Sequence, residues 1–294
     1  MTTAISRVGL VAKQHVEAAA GVLRELAQWL EERGIRPVFD DDTSHLAGPA
    51  GRWEATSKED LPKACELIVL LGGDGTLIGM ARRIARADVD VPIAGINFGS
   101  LGFLTEITLD DLYPSLEAVF DGTAPIEDRM MLHARTLRAG RTYTDELVLN
   151  DVVITKAALS RIIELSVCIG SDEVMRVRAD GLIVATPTGS TAYNLAAGGP
   201  IVHPRVDALV ITPIAPHTLT NRPLVVTGTS AISVEPDMNG NDEVFVTFDG
   251  QSGHALQTED VVTIERATRP LCLVRSAQRS YFAVLRQKLK WGER

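Results

Sequence analysis

Four short stretches carry the groups that phosphate and sugar chemistry needs. In Gly72-Gly73-Asp74-Gly75-Thr76 three glycines leave the backbone bare of Cβ atoms, so a phosphate or ribose can approach main-chain N–H groups while Asp74 accepts a proton. Read alone, the same residues make a tight turn. Asn150-Asp151 sets a carboxamide beside an acceptor-only carboxylate, which suits two adjacent ribose hydroxyls and equally an Asx turn. Asp180-Gly181, alone, is a hairpin turn before Leu182–Ala185. In Thr186-Pro187-Thr188-Gly189-Ser190-Thr191-Ala192-Tyr193-Asn194 four hydroxyl side chains surround a glycine and an aromatic follows, which offers hydrogen bonds to phosphate or sugar and a ring to a base.

Several common site motifs are absent. The sequence has no Gly-Lys-Ser/Thr of a Walker loop, no strand followed by Gly-x-Gly-x-x-Gly, no Gly-x-Ser-x-Gly elbow and no His-Glu-x-x-His zinc pair. An NAD-dependent dehydrogenase of the Rossmann type is disfavoured on this ground.

The elements around these residues change in kind along the chain. Val8–Ala12 predicts a strand, and Val16, Ala19, Leu23, Leu26 and Leu30 predict an amphipathic helix ended by Gly34. Ile35–Phe39 predicts a second strand, and the aperiodic, polar residues 40–62 predict a surface loop. The apolar run Leu67–Leu71 reads as a buried parallel strand whose carboxyl end carries the glycine turn, with a helix over Leu77–Ala87 behind it. A strand follows at Val91–Asn97, and a helix capped by Asp110 runs to Phe120. This alternation predicts a doubly wound parallel sheet over residues 1–129.

After Arg129 helical periodicity fades. β-rich runs at 146–155, 161–169, 174–178, 181–186, 206–213, 231–235, 244–248 and 260–265 predict a mainly antiparallel β domain over 130–269. Pro213, Pro216, Pro223 and Pro236 fit its edges and turns rather than central strands. Tyr281, Phe282, Val284, Leu285, Lys288, Leu289 and Trp291 predict a terminal helix, and the tail 270–294 is expected to return to the first domain.

Composition narrows the partners. With 45% hydrophobic and 23% charged residues the chain is an ordinary globular one, and it holds no apolar run long enough for a membrane span. A net charge of −9 supplies no positive field for nucleic acid. Met1-Thr2-Thr3-Ala4 opens no signal peptide, and Cys65, Cys168 and Cys272 are widely spaced and odd in number, which predicts reduced thiols and a cytoplasmic protein. His203, His254, Trp29 and Trp291 read as packing or surface residues.

Taken jointly, Gly72-Gly73-Asp74-Gly75-Thr76, Asn150-Asp151, Asp180-Gly181-Leu182-Ile183 with Thr186–Tyr193, and Asp249-Gly250-Gln251 resemble the bacterial NAD kinase family. Gly95–Leu104, Pro216-His217-Thr218-Leu219 and Leu285–Trp291 extend the resemblance, which before Ile68 holds only in outline. It implies transfer of the ATP γ-phosphoryl group to the 2′-hydroxyl of the adenosine ribose of NAD, in a cleft between the two domains, with Asp74 as the base. It further implies that Gly75 lies against substrate, that Asn150 and Asp151 hold sugar hydroxyls, and that Asp180 lies near the nicotinamide end. Thr188, Thr191, Ala192, Tyr193, Asn194, Leu195 and Ala196 would line the cleft, with Arg161, Arg178 and Gln251 as further contacts. Gly72, Gly73, Gly75 and Thr76 would form the ATP-phosphate loop. Family members use a divalent cation, Mg²⁺ carried by ATP rather than held in a protein cage, and are oligomers, so a homodimer or homotetramer in which Ala215 and His217 reach a neighbouring site is expected. The match departs at Asp151, where glutamate is commoner, and at Arg161, where some relatives have histidine. The competing readings are a lipid or sugar-phosphate kinase of the same superfamily and a non-catalytic NADP(H)-binding sensor.

Overall fold

The computed structural model describes residues 5–13, 17–49, 51–99, 101–157, 162–218, 220–238 and 243–292. The chain divides into two compact units, Met1–Asp128 with Leu271–Arg294, and Arg129–Pro270.

In the first unit strands and helices alternate: β1 (Arg7–Ala12), α1 (Glu17–Glu31), β2 (Arg36–Asp40), α2 (Asp41–Ala47), β3 (Glu54–Thr56), α3 (Leu61–Ala64), β4 (Leu67–Gly72), α4 (Asp74–Ala87), β5 (Ile93–Asn97), α5 (Leu112–Phe120) and β6 (Ile126–Arg129). The sheet runs β3-β2-β1-β4-β5, then the late strand β19 (Leu271–Val274), then β6. Pairs from β3 through to β19 are parallel. Every residue of β4 is buried, as a parallel strand covered on both faces requires. On one face Leu23, Leu26 and Leu30 of α1 and Leu112, Leu116 and Val119 of α5 pack on Val69, Leu71, Ala94 and Ile96. On the other, Leu77, Met80, Ala81 and Ile84 of α4 are buried, and a Cβ added at Gly95 would come within 2.7 Å of Leu77 Cδ1. Helices on both faces make the sheet doubly wound.

Residues 40–62 correct the sequence expectation of a loop, for they hold α2, β3 and α3. The cause is local. The fully buried Asp40 carboxylate caps α2 by accepting from the N–H groups of Asp42 and Thr43 and from the Thr43 hydroxyl, and β3 adds to β2 in parallel register. The fifth helix also differs, with Asp111 rather than Asp110 at its N-cap and no side-chain capping bond there. Val16 lies outside the described residues.

The second unit contains β7 (Leu132–Arg138), β8 (Arg141–Val148), β9 (Asp151–Lys156), β10 (Ile163–Ile169), β11 (Asp172–Ala179), β12 (Gly181–Ala185), α6 (Tyr193–Ala196), β13 (Ala208–Ile214), β14 (Leu224–Thr227), β15 (Ile232–Asp237), β16 (Val244–Phe248), β17 (Ser252–Ala255) and β18 (Val261–Arg266). They form two six-stranded sheets, β11-β10-β15-β18-β7-β8 and β14-β13-β12-β9-β16-β17, whose paired strands are antiparallel. Alternate residues of both sheets, such as Leu165, Val234 and Ile264 from one and Ile154, Leu182 and Val246 from the other, meet in one core. The run 146–155 is two strands broken at Leu149-Asn150. Pro213 and Pro236 also correct expectation, since β13 and β15 are interior strands. Each proline sits where its strand runs past the end of one neighbour, β14 or β18, so the missing N–H breaks no ladder bond on that side.

The chain then returns to the parallel sheet as β19 and closes with α7 (Tyr281–Leu289), capped by Ser280 and burying Val284 and Leu285. No helix among the described residues is long and apolar enough to cross a membrane.

Candidate active site

Asp74 is the first residue of α4, at the carboxyl end of β4. Its carboxylate is gripped by one loop. Oδ2 accepts from the Phe103 N–H at 2.8 Å, and Oδ1 accepts from the N–H groups of Leu104 (3.1 Å) and Thr105 (3.0 Å) and from the Thr105 hydroxyl (2.9 Å). Four donors against two oxygens leave Oδ2 with one protein partner and room for a further donor. Gly102 lets the loop close, for a Cβ there would overlap Asp74 Oδ1 and Thr105 Oγ1. The glycines around Asp74 behave differently. Among the described residues a Cβ at Gly73 or Gly75 would meet no atom within 4 Å, and neither residue has a positive φ. The backbone is open on that side, so a group outside these residues can come close to it. At Gly72 an added Cβ would press on Thr76 Oγ1 at 3.3 Å.

The loop that holds Asp74 is anchored in turn. Asn97, at the end of β5, accepts from the Gly99 N–H at 2.7 Å and donates its own N–H to the Ile107 carbonyl at 2.8 Å. Glu106 is buried against Arg275. Burial opposes the Arg275 charge, yet Glu106 and Glu127 beside it raise the guanidinium above its ordinary range.

In the second unit Asn150 and Asp151 lie where β8 turns into β9. The Asp249 carboxylate accepts from the N–H groups of Leu149 (2.8 Å), Asn150 (2.6 Å) and Asp151 (3.1 Å), and so sets this turn. Asp249 (φ +52°) and Gly250 (φ +62°) occupy the centre of a β-hairpin turn closed by Gln251 N–H to the Phe248 carbonyl. Asp151 is buried, and loss of water, with the Asp249 charge nearby, pushes its carboxyl up to about 7.

The hydroxyl-rich stretch closes on the same turn. Thr186 donates its hydroxyl to the Leu149 carbonyl at 2.6 Å and its N–H to the Asn150 carbonyl at 2.8 Å, and a Cβ at Gly189 would overlap that Asn150 carbonyl. Thr188 is buried, Thr191, Ala192 and Leu195 are half-buried, and Ala196 is exposed. Tyr193 is 45% exposed, so its ring is open to a partner. Asn194 is not: fully buried, it donates to the carbonyls of Ser190 (3.0 Å) and Pro200 (3.1 Å) and accepts from the Thr212 hydroxyl (2.6 Å). Its amide therefore holds the loop and has no edge left for a ligand.

Arg178, Asp180, Ala215 and His217 lie at the other end of these strands. Asp151 pairs with Ala185 and Thr155 with Gly181, so Asp180, one residue further on, is about 17 Å along the sheet from the Asn150-Asp151 turn. There Lys156 Nζ lies 3.5 Å from Asp180 Oδ1, Arg178 is exposed, its carbonyl accepts from the His217 N–H at 2.9 Å, and Ala215 is held at φ +44°. Gln251 is exposed beside Asp249. Arg161 lies outside the described residues, as do Ser100 and Leu219. Among the described residues no group of three His, Cys, Asp or Glu is placed to hold a metal ion.

Sequence reading missed the loop donors, because backbone N–H groups leave no mark in residue type. It also gave Asp249 no mechanical role; an Asp-Gly pair between two apolar runs was the available signal.

Models of the ATP-NAD kinase N-terminal and C-terminal domains match residues 8–124 and 149–276. The chain is 47% identical over 290 residues to the NAD kinase of Geotalea daltonii, covering 99% of this chain and 100% of that one, and 47% identical over 291 residues to that of Geobacter sulfurreducens, with the same coverage. Among solved structures it resembles an NAD kinase from Archaeoglobus fulgidus in complex with ATP, at a TM-score of 0.75 and 25% identity over 97% of this chain and 98% of that one. Yeast NADH kinase complexed with NADH shares the fold at a TM-score of 0.89, with 23% identity over 100% of this chain and 90% of that one. Full-length identity at this level, together with both domain models, means that the chain belongs to the ATP-NAD kinase family.

Proposed function

We propose that this chain transfers the γ-phosphoryl group of ATP to the 2′-hydroxyl of the adenosine ribose of NAD, yielding NADP and ADP. The observation that carries the proposal is Asp74: an anchored carboxylate with spare acceptor capacity on Oδ2, at the start of α4 between Gly73 and Gly75. The ribose hydroxyl donates to Oδ2 and attacks phosphorus. As the new phosphorus–oxygen bond forms, the bond to the β–γ bridging oxygen breaks, ADP leaves, and the hydroxyl proton passes to Asp74. Phosphates lie against the turn Gly72–Thr76, where the N–H groups opening α4 meet negative charge. Mg²⁺ arrives with ATP and neutralises phosphate charge; no residue of this chain is assigned to it.

Asn150 and Asp151 hold ribose hydroxyls, with Thr188, Thr191 and Tyr193 beside them and Gln251 near the same turn. Arg178, Asp180, Ala215 and His217 stand too far along β9 and β12 to touch the same sugar. They serve either the distant end of an elongated dinucleotide or a neighbouring subunit's site in a homodimer or homotetramer. On the same reading the enzyme is cytoplasmic.

Purified protein supplied with ATP, Mg²⁺ and NAD should release ADP and form NADP in equal amounts. Phosphorylation of a diacylglycerol or hexose acceptor in place of NAD, or tight dinucleotide binding without ADP release, contradicts the proposal.

A further inference from the structure

Glu106 directly follows the three residues whose N–H groups hold Asp74, and it is only 1% exposed. Its Oε1 accepts from Arg275 Nε at 2.5 Å and from the Ser276 N–H at 2.7 Å, and its Oε2 accepts from Arg275 Nη2 at 2.7 Å. Arg275 also donates Nη1 to Glu127 at 3.0 Å and its backbone N–H to the Pro125 carbonyl at 2.9 Å. A planar guanidinium meeting a carboxylate through two parallel bonds fixes direction as well as distance, which an ammonium does not. A buried pair of this kind adds little net stability over an apolar pair of equal volume, because both ions lose their water. Its value here lies in where it sits. The donor loop is pinned at its start by Gly102, which admits the Asp74 carboxylate, and at its end by Glu106, locked to the strand end that follows β19.

We propose that Glu106 and Arg275 are positioning residues for phosphoryl transfer: their buried pair holds the N–H groups of Phe103, Leu104 and Thr105 so that the Asp74 carboxylate presents Oδ2 to the acceptor hydroxyl. The inference rests on the reading of Asp74 as proton acceptor. The pair touches no substrate, and its effect passes through the loop. A misplacement near 1 Å at a reacting group costs about a hundredfold in rate, so a small slackening of this lock shows in kcat before it shows in binding.

The test is steady-state kinetics with melting temperatures for Arg275→Lys, Glu106→Gln, the apolar pair Glu106→Leu with Arg275→Met, and each of these in an Asp74→Asn background. Arg275→Lys should lower kcat by about tenfold to a hundredfold with KM for NAD and ATP nearly unchanged, and should speed hydrogen exchange at the amides of 103–105. The apolar pair should melt near the wild-type temperature and still show the kcat loss, which separates positioning from stability and stands in should the single variants fold poorly. In the Asp74→Asn background no further loss should appear, since groups that act as a unit are not additive. Wild-type kcat in Arg275→Lys or in the apolar pair overturns the inference, as does a loss that multiplies in full with that of Asp74→Asn. Full turnover by Asp74→Asn alone instead removes the reading of Asp74 on which it rests.

Discussion

Three consecutive backbone N–H groups and a threonine hydroxyl converge on the Asp74 carboxylate, so its direction is set before any substrate arrives. That arrangement suits a fixed acceptor rather than a swinging base. Gly102→Ala should lower turnover by about a hundredfold, because its methyl occupies the place of Asp74 Oδ1 and the loop must open. Asp151 makes a pH-dependent prediction. Its carboxyl is raised from the ordinary 3.8 to about 7, so its contribution to folding stability is fully present below 3.8 and is lost as pH rises through 7, with a slope of at most about 1.4 kcal/mol per pH unit. Melting curves of the wild type and Asp151→Asn should diverge across that window, with the variant flatter. The ionised form is the better acceptor for a ribose hydroxyl, so KM for NAD should fall as pH rises through 7. At this scale the turns that carry Asp74 and Asn150-Asp151 were legible in the sequence, but the groups that fix them were not. The sequence did not disclose that Asn194 turns inward, because an amide in a polar stretch looks alike whether it meets a ligand or Ser190, Pro200 and Thr212.

Between residues and the whole chain, turns set the position of the reactive groups. The Asp249 carboxylate staples the turn between β8 and β9, and its charge adds to the burial that raises the Asp151 carboxyl. Asp249→Asn keeps a residue that tolerates a positive φ while removing the charge. It should therefore move the Asp151 titration to lower pH and weaken NAD binding, with KM for ATP little changed. The region 40–62 shows why element-level reading fell short. Its composition is that of a loop, but one buried carboxylate, Asp40, organises a helix of seven residues and leads into an edge strand of three. Asp40→Ala should cost about 1–2 kcal/mol in a denaturant titration, the usual worth of an N-cap. Long apolar or periodic runs such as β4, α1 and α4 were legible because burial on a fixed face repeats in the sequence. The short strands β14, β17 and β19 were not, having too few residues to display a period.

The whole molecule joins a doubly wound parallel sheet to a pair of antiparallel sheets, and one chain enters the first unit twice. The change of rhythm after Arg129 carried this in outline, since helix periodicity gives way to alternation. The lock between Glu106 and Arg275 is a long-range pairing, 169 positions apart, and a buried arginine near a chain's end has no local signature. Because β19 lies between β5 and β6, a chain ending at Pro270 should lose cooperative unfolding of the first unit in urea while the core around Leu165, Leu182 and Val246 still forms. Asp74 as proton acceptor carries the proposed function, which is tested most directly by the rate of NADP formation from ATP, Mg²⁺ and NAD by the wild type and by Asp74→Asn at equal folded concentration. NADP formation by the wild type and a loss of about a hundredfold or more in the variant is the predicted result. No NADP from the wild type, or an undiminished rate in the variant, contradicts it.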